Sequence, residues 1–244
     1  MENLDLVSLI NKIVCTNLSY PNLVFAKEGA IYTCVNPYSY HLIRKNSCLY
    51  KNMDGIFVDG ILMCLFIRFF WGYNIQRHSF DMSGIAADLF FRLNKTGESI
   101  YFIGAKQLQL NATVKHIQNS YPQIKIVGFR NGYFSSLSDR KKAIQDIIDM
   151  NPKFVIVGMG APLQEIFAIE LQQCGYKGIV FTCGGFFHQT VNGIKYYPDW
   201  INKYNLRAFY RLYKEKGLFK RLYNVLLEFP VLFMYDTFRL KLKF

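Results

Sequence analysis

The sequence lacks several features that would place it quickly. Its six cysteines, Cys15, Cys34, Cys48, Cys64, Cys174 and Cys183, form no C-x-x-C pair and no metal-ligand spacing. Most sit in apolar runs, where a free thiol behaves as a small hydrophobe, so a reduced, cytosolic protein without structural zinc is expected. No D-x-D occurs anywhere. No uninterrupted apolar stretch is long enough to span a bilayer: the longest, GILMCLFIRFFWG (60–72), is broken by Arg68. The N-terminus MENLDLVSLI carries acids and lacks the basic start of a signal peptide. Acid is scarce, with 17 Asp and Glu against 29 Lys and Arg, a formal charge of +12. That surplus points to polyanions: nucleic acid, anionic headgroups or phosphorylated substrates.

What is present is apolar and aromatic. The 244 residues include 17 Tyr and 22 Phe, and a chain of this length buries a sizeable core. Short apolar runs alternate with helix-period segments through the middle: 99–105, 124–129, 154–160 and 178–185 read as strands, 108–121, 139–150 and 162–175 as helices. Strands alternating with helices imply a Rossmann-like α/β fold, a mostly parallel sheet flanked by helices, with ligands beyond the carboxyl ends of the strands. Gly104, Gly128, Gly158, Gly160, Gly184 and Gly185 fall at those ends. One α/β domain is expected over 1–200, followed by an appendage over 201–244.

The appendage differs in kind. Residues 195–244 hold eleven Lys and Arg and four Asp and Glu, interleaved with aromatics. A helix from about 203 to 227 gathers Leu206, Phe209, Tyr210, Tyr213, Phe219, Leu222 and Val225 on one face, flanked by Arg207, Arg211, Lys214, Lys216, Lys220 and Arg221. Such a basic amphipathic helix suits an anionic membrane surface, and equally suits packing on a core. No nucleic-acid motif is visible, and the apolar character favours lipid over DNA or RNA.

Two strand ends carry candidate chemistry. Gly158-Met-Gly160-Ala-Pro162 lacks the third glycine of G-x-G-x-x-G and the Lys of a P-loop, and leaves a strand-to-helix turn able to receive a diphosphate. Gln164 and Glu165 follow in the first turn, where a glutamate is also favoured by the helix dipole alone. Asp59-Gly60 follows the run GIFV; a carboxylate there can serve as a general base, and Asp-Gly is equally a common tight turn.

In order and spacing, Thr33-Cys-Val-Asn36-Pro37, Val58-Asp59-Gly60, Arg77 with Gly84 and Asp88, Tyr101-Phe-Ile-Gly104, Asn131-Gly132-Tyr133-Phe134, Gly158-Met-Gly160-Ala-Pro162-Leu-Gln164-Glu165, Cys183-Gly184-Gly185-Phe186 and Tyr210-Arg211-Leu212 resemble glycosyltransferase family 26. That family contains bacterial N-acetylmannosaminyl- and N-acetylmannosaminuronic acid transferases of surface polysaccharide synthesis. The resemblance implies an inverting, metal-independent enzyme without a cofactor, moving an N-acetylmannosamine-type sugar from a UDP donor to a polyprenyl-diphosphate-linked saccharide. It places such a protein in the cytoplasm, peripheral on the inner face of the membrane. By the same resemblance Asp59 is the base; Thr33, Asn36, Gly104, Gly132, Tyr133, Gly158, Gly160, Gln164, Glu165, Gly184 and Gly185 serve the donor. Arg77, Arg207, Arg211, Lys220 and Arg221 serve the acceptor or a diphosphate. Cys34 falls where the family carries threonine, and Tyr196-Tyr197-Pro198 replaces its Arg-Ala-Pro. A non-catalytic nucleotide-sugar or polyanion-binding protein that keeps the fold is the other reading, and the apolar 60–72 stretch offers an oligomer interface.

Overall fold

A computed structural model describes residues 3–21, 25–204, 206, 207, 210 and 222–241. Six parallel strands form one sheet in the order β2-β1-β6-β5-β3-β4: β1 Ile31–Val35, β2 Gly55–Val58, β3 Ser99–Gly104, β4 Lys125–Arg130, β5 Phe154–Gly158 and β6 Ile179–Thr182. Four of these match the expected runs, and the sheet is wholly parallel. Helix α1 (Asn3–Ser19) leads in; α2 (Tyr40–Lys45) and α3 (Ser47–Lys51) join β1 to β2. Between β2 and β3 run α4 (Ile61–Phe66), a π turn (Ile67–Trp71) and α5 (Ile85–Thr96). Helices α6 (Gln107–Ser120), α7 (Leu137–Met150) and α8 (Leu163–Gln173) alternate with the later strands. After β6 come the short α9 (Phe186–Gln189), α10 (Asp199–Lys203) and, past a π turn, α11 (Phe229–Lys241).

Strand periodicity divides the core in two. Ile31, Val35, Val155, Val157 and Val180 point to one face, under α1 to α4, α7, α8 and α11; Tyr32, Phe102, Phe154, Ile156 and Phe181 point to the other, under α5, α6 and α9. Connections moving toward the β2 edge (β1 to β2, β4 to β5, β5 to β6) use the first face. Those moving away (β2 to β3 through α5, β3 to β4) use the second, as a single crossover handedness requires. The chain therefore leaves β1 and β5 toward one face and leaves β6, which lies between them, toward the other. Loops that diverge in this way open a crevice over the carboxyl ends of β1, β6 and β5.

Two further features position that edge. Among the described residues no strand lies on the outer side of β2. Its backbone is met instead by α1: Ile56 N donates to Thr16 Oγ1 at 3.1 Å, Val58 N donates to Asn17 Oδ1 at 3.1 Å, and Asn17 Nδ2 donates to Ile56 O at 3.1 Å. At the far end of the chain, α11 joins the main core through Phe229 and Phe233, which pack against Phe66, Phe70 and Trp71. Asp236, buried, accepts from Arg44 Nε at 2.7 Å, Arg44 Nη2 at 3.0 Å and the Tyr40 hydroxyl at 2.9 Å. The expected helix over 203–227 lies mostly outside the described residues, as do Phe209, Arg211, Tyr213, Lys214, Lys216, Phe219, Lys220 and Arg221.

Candidate active site

Asp59 stands one residue beyond β2, its backbone N–H donating to Val35 O at 2.7 Å. Gly60 follows with φ +131°, and a Cβ there would meet Pro37 Cδ at 3.0 Å. The turn bearing the carboxylate is thus pressed against Asn36-Pro37, and glycine is needed on both counts. Asn36 spends its side-chain oxygen on its own turn, accepting from Ser39 N at 2.9 Å.

From the same edge the chain continues through α4 and returns, His78 N donating to Val58 O at 2.8 Å. The returning segment brings Arg77 within electrostatic reach of Cys64, which Asp59 also reaches. Both charges act on Cys64 in α4: burial pushes its thiol up to about 11, with Arg77 opposing and Asp59 reinforcing. The Cys34 thiol is likewise pushed well up, by burial first and then by Asp59, whereas Thr33 points through the opposite face of β1.

Beyond Arg77 lies an ion pair that the sequence did not disclose. Asp81 accepts from Arg207 Nη1 at 2.5 Å, from Ser79 Oγ at 2.6 Å, and from Ser83 N and Oγ at 2.8 and 2.6 Å. Arg207 also donates to the hydroxyls of Ser79 and Ser83, and its guanidinium lies 4.7 Å from the Tyr197 ring centroid. Burial would raise the Asp81 carboxyl, but Arg207 and the two serines outweigh it and hold it below the usual range. On Arg207 burial wins and lowers the guanidinium, Asp81 and, more weakly, Asp59 opposing it. The side chains are only 10% and 13% exposed.

Gln164 and Glu165 do not face the cleft surface. They close a buried network across three elements: Thr182 Oγ1 donates to Thr33 Oγ1 at 2.7 Å, Thr33 Oγ1 donates to Glu165 Oε1 at 2.7 Å, and Gln164 Nε2 donates to the same oxygen at 2.9 Å. Gln164 Oε1 accepts from Gly184 N at 3.2 Å, tying the turn after β5 to the turn after β6. Thr33, Gln164 and Glu165 are 1%, 4% and 0% exposed. Burial raises the Glu165 carboxyl despite the bonds from Gln164 and Thr33.

The glycines divide into two kinds. Gly104 (φ +142°) lies against the Gly158 backbone, where a Cβ would meet Gly158 O at 2.2 Å, and Gly132 presses on Gly104 Cα; these serve close backbone packing. Gly160 (φ +77°) and Gly184 (φ +54°) face open space, and Gly185 is nearly as open. They are where a ligand can approach the backbone. Tyr133 is exposed beside them, its N–H bound to Asn131 Oδ1. His188 is hydrogen-bonded to Gln109 on the second face. Asp59 and the 158–160 turn share the carboxyl edge three strand spacings apart, about 14 Å.

Residues 18–243 match the model of the glycosyl transferase WecG/TagA/CpsF family. The chain belongs to that family. It is 36% identical over 207 residues, 85% of this chain and 86% of the relative, to a Shigella boydii UDP-Gal:alpha-D-GlcNAc-diphosphoundecaprenol beta-1,4-galactosyltransferase. It is 26% identical over 237 residues, 92% and 88% of the two chains, to a Bacillus subtilis (strain 168) N-acetylglucosaminyldiphosphoundecaprenol N-acetyl-beta-D-mannosaminyltransferase. As a member of the WecG/TagA/CpsF family the chain is a glycosyltransferase with a Rossmann-like core, as the quoted motifs led us to expect. Sequence reasoning did not single out the Asp81–Arg207 pair or Thr182. The one available signal was a polar residue inside an otherwise apolar strand, at Thr182.

Proposed function

We propose that the protein transfers a single hexose from a UDP-sugar, with inversion, to a polyprenyl-diphosphate-linked N-acetylglucosamine during bacterial surface polysaccharide synthesis. The observation that carries this reading is the placement of Asp59 at the carboxyl end of β2, on the edge that also bears the open turns at Gly160 and Gly184, with Arg77 and Asp59 both within electrostatic reach of Cys64. Support for the acceptor comes from two relatives whose names specify N-acetylglucosamine on diphosphoundecaprenol.

The chemistry needs few protein groups. Asp59 takes the proton of the acceptor hydroxyl as its oxygen bonds to the anomeric carbon. The bond from that carbon to the β-phosphate oxygen breaks, and UDP leaves with the electron pair. An α-linked UDP-sugar attacked from the opposite face gives a β-glycoside, the anomer named in both relatives. Arg77 supplies positive charge near the base, and the leaving diphosphate is neutralised by cationic side chains in place of a metal. The donor sugar is galactose-type, the donor of the 36% relative, rather than the N-acetylmannosamine suggested by the family motifs. The protein works peripherally on the inner face of the membrane, where its lipid-linked acceptor lies.

The test is a transfer assay with N-acetylglucosaminyl-diphospholipid and either UDP-galactose or UDP-N-acetylmannosamine, read by product mass with and without EDTA. One galactose is added, EDTA has no effect, and Asp59→Asn abolishes transfer while UDP binding persists. No product with any UDP-sugar, or undiminished transfer by Asp59→Asn, defeats the reading.

A further inference from the structure

A cavity of about 100 Å³ lies beside the open Gly184-Gly185 turn. Asp81-Met82-Ser83 line it together with Phe186, Gln189 and Thr190 from the segment after β6 and Ile194 to Tyr197. Nothing in the proposed chemistry uses it. Yet it abuts the Asp81–Arg207 pair, and Arg207 is within electrostatic reach of Asp59.

We propose that this cavity is a pyranose subsite, holding the sugar ring of one of the two substrates; the inference rests on the glycosyl-transfer reading above. Three observations select that ligand chemistry. The first is charge. Asp81 has its carboxylate oxygens occupied by Ser79, Ser83 and Arg207, and its charge is matched by Arg207. With that pair neutral, Lys195 leaves the lining a single positive charge among the described residues, short of what the several negative charges of a diphosphate call for. The second is shape. Tyr196 and Tyr197 meet at 88° with centroids 4.7 Å apart, and Tyr196 and Tyr210 meet at 90°. Rings that rest edge against face form no parallel slot for a flat base, whereas a pyranose needs only one ring face for its C–H groups. The third is composition. Phe186, Met82 and Ile194 supply apolar contact while Gln189 and Lys195 supply hydrogen-bonding groups. A pyranose divides the same way, apolar on its faces and hydroxylated round its rim.

The pyranose has two sources, donor hexose or acceptor N-acetylglucosamine, and the test separates them. Gln189→Ala removes a hydrogen-bonding amide, and Ile194→Trp fills the cavity. Both variants and wild type are titrated with UDP, UDP-galactose and an N-acetylglucosaminyl-diphospholipid in detergent, after thermal unfolding has shown that each variant folds. If the donor ring occupies the cavity, affinity for UDP-galactose falls about tenfold while that for UDP is unchanged. If the acceptor ring does, the lipid-linked sugar loses about tenfold and both nucleotides bind as before. A parallel loss for UDP and UDP-galactose, which would put the nucleobase there, overturns the proposal, as does unchanged binding of all three. The readout is binding, so it stands even where wild type transfers no sugar; that result would defeat only the proposed function.

Discussion

Glu165 is enclosed completely, with one carboxylate oxygen accepting two hydrogen bonds and the other finding no partner among the described residues. Because burial raises this carboxyl, the folded chain keeps the proton through a pH window above the usual 4.5 in which the unfolded chain has lost it. Protons bound in excess by the native state mean stability that falls as pH rises through that window. Glu165→Gln removes the titration. Its urea-unfolding free energy relative to wild type should therefore improve as pH rises above the usual 4.5, whatever constant offset the altered hydrogen bonds impose; parallel curves would show that Glu165 does not titrate in that range. At Asp59 the expected change is kinetic: Asn keeps the size, loses the proton acceptor, and should lower kcat by roughly 10² to 10⁴ with UDP affinity intact. The residues of this edge were legible as types but not as roles. Motif spacing pointed to Gln164 and Glu165, yet only the fold shows their side chains turned inward, because a strand neighbour 132 residues away in sequence, Thr33, completes the bond.

Helices with a polar outer face were readable in advance, and those without one were not. Helices α6 and α7 carry their apolar residues at helical spacing and lay close to where periodicity put them. Helix α11 buries Phe229 and Phe233 on one side while exposing Val231, Tyr235 and Phe238 on the other, so its apolar residues mark no single face. The π turn after α4 is obscured for the same reason. Seating of the C-terminal segment then depends on pairs invisible to any periodicity. Asp81→Asn leaves Arg207 buried without its counter-charge and should cost about 3 to 5 kcal/mol. Adding Arg207→Met should recover most of that loss, since a charge no longer has to be buried. Denaturant unfolding of the two variants checks both; a double variant no more stable than the single would show that packing on Tyr197, not charge, holds the segment.

Across the whole molecule, exposed apolar side chains gather on two helices that pack together. Ile61, Leu65 and Phe69 form one ridge along α4 and its π turn, with Phe69 82% exposed; Val231, Tyr235 and Phe238 form another on α11. Among the described residues no helix is long and apolar enough to cross a membrane. With a net charge of +12 and Arg68 and Arg239 beside these ridges, the arrangement suits lying on an anionic bilayer. Leu65→Ser with Phe69→Ser should weaken sedimentation with anionic vesicles at least tenfold, on about 1.5 to 3 kcal/mol for each large apolar group withdrawn from the lipid. Unchanged sedimentation would remove this face from the membrane account. The outer border of the sheet has a different significance. Thr16 and Asn17 occupy the hydrogen-bonding positions that another strand would take along β2. An unguarded border of this kind invites copies of a chain to zip together. The leading helix is thus a stopper, and the strand leading to Asp59 stays single for as long as two short side chains keep their places. Asn17→Leu would unplug it, and self-association detected by light scattering would be the sign.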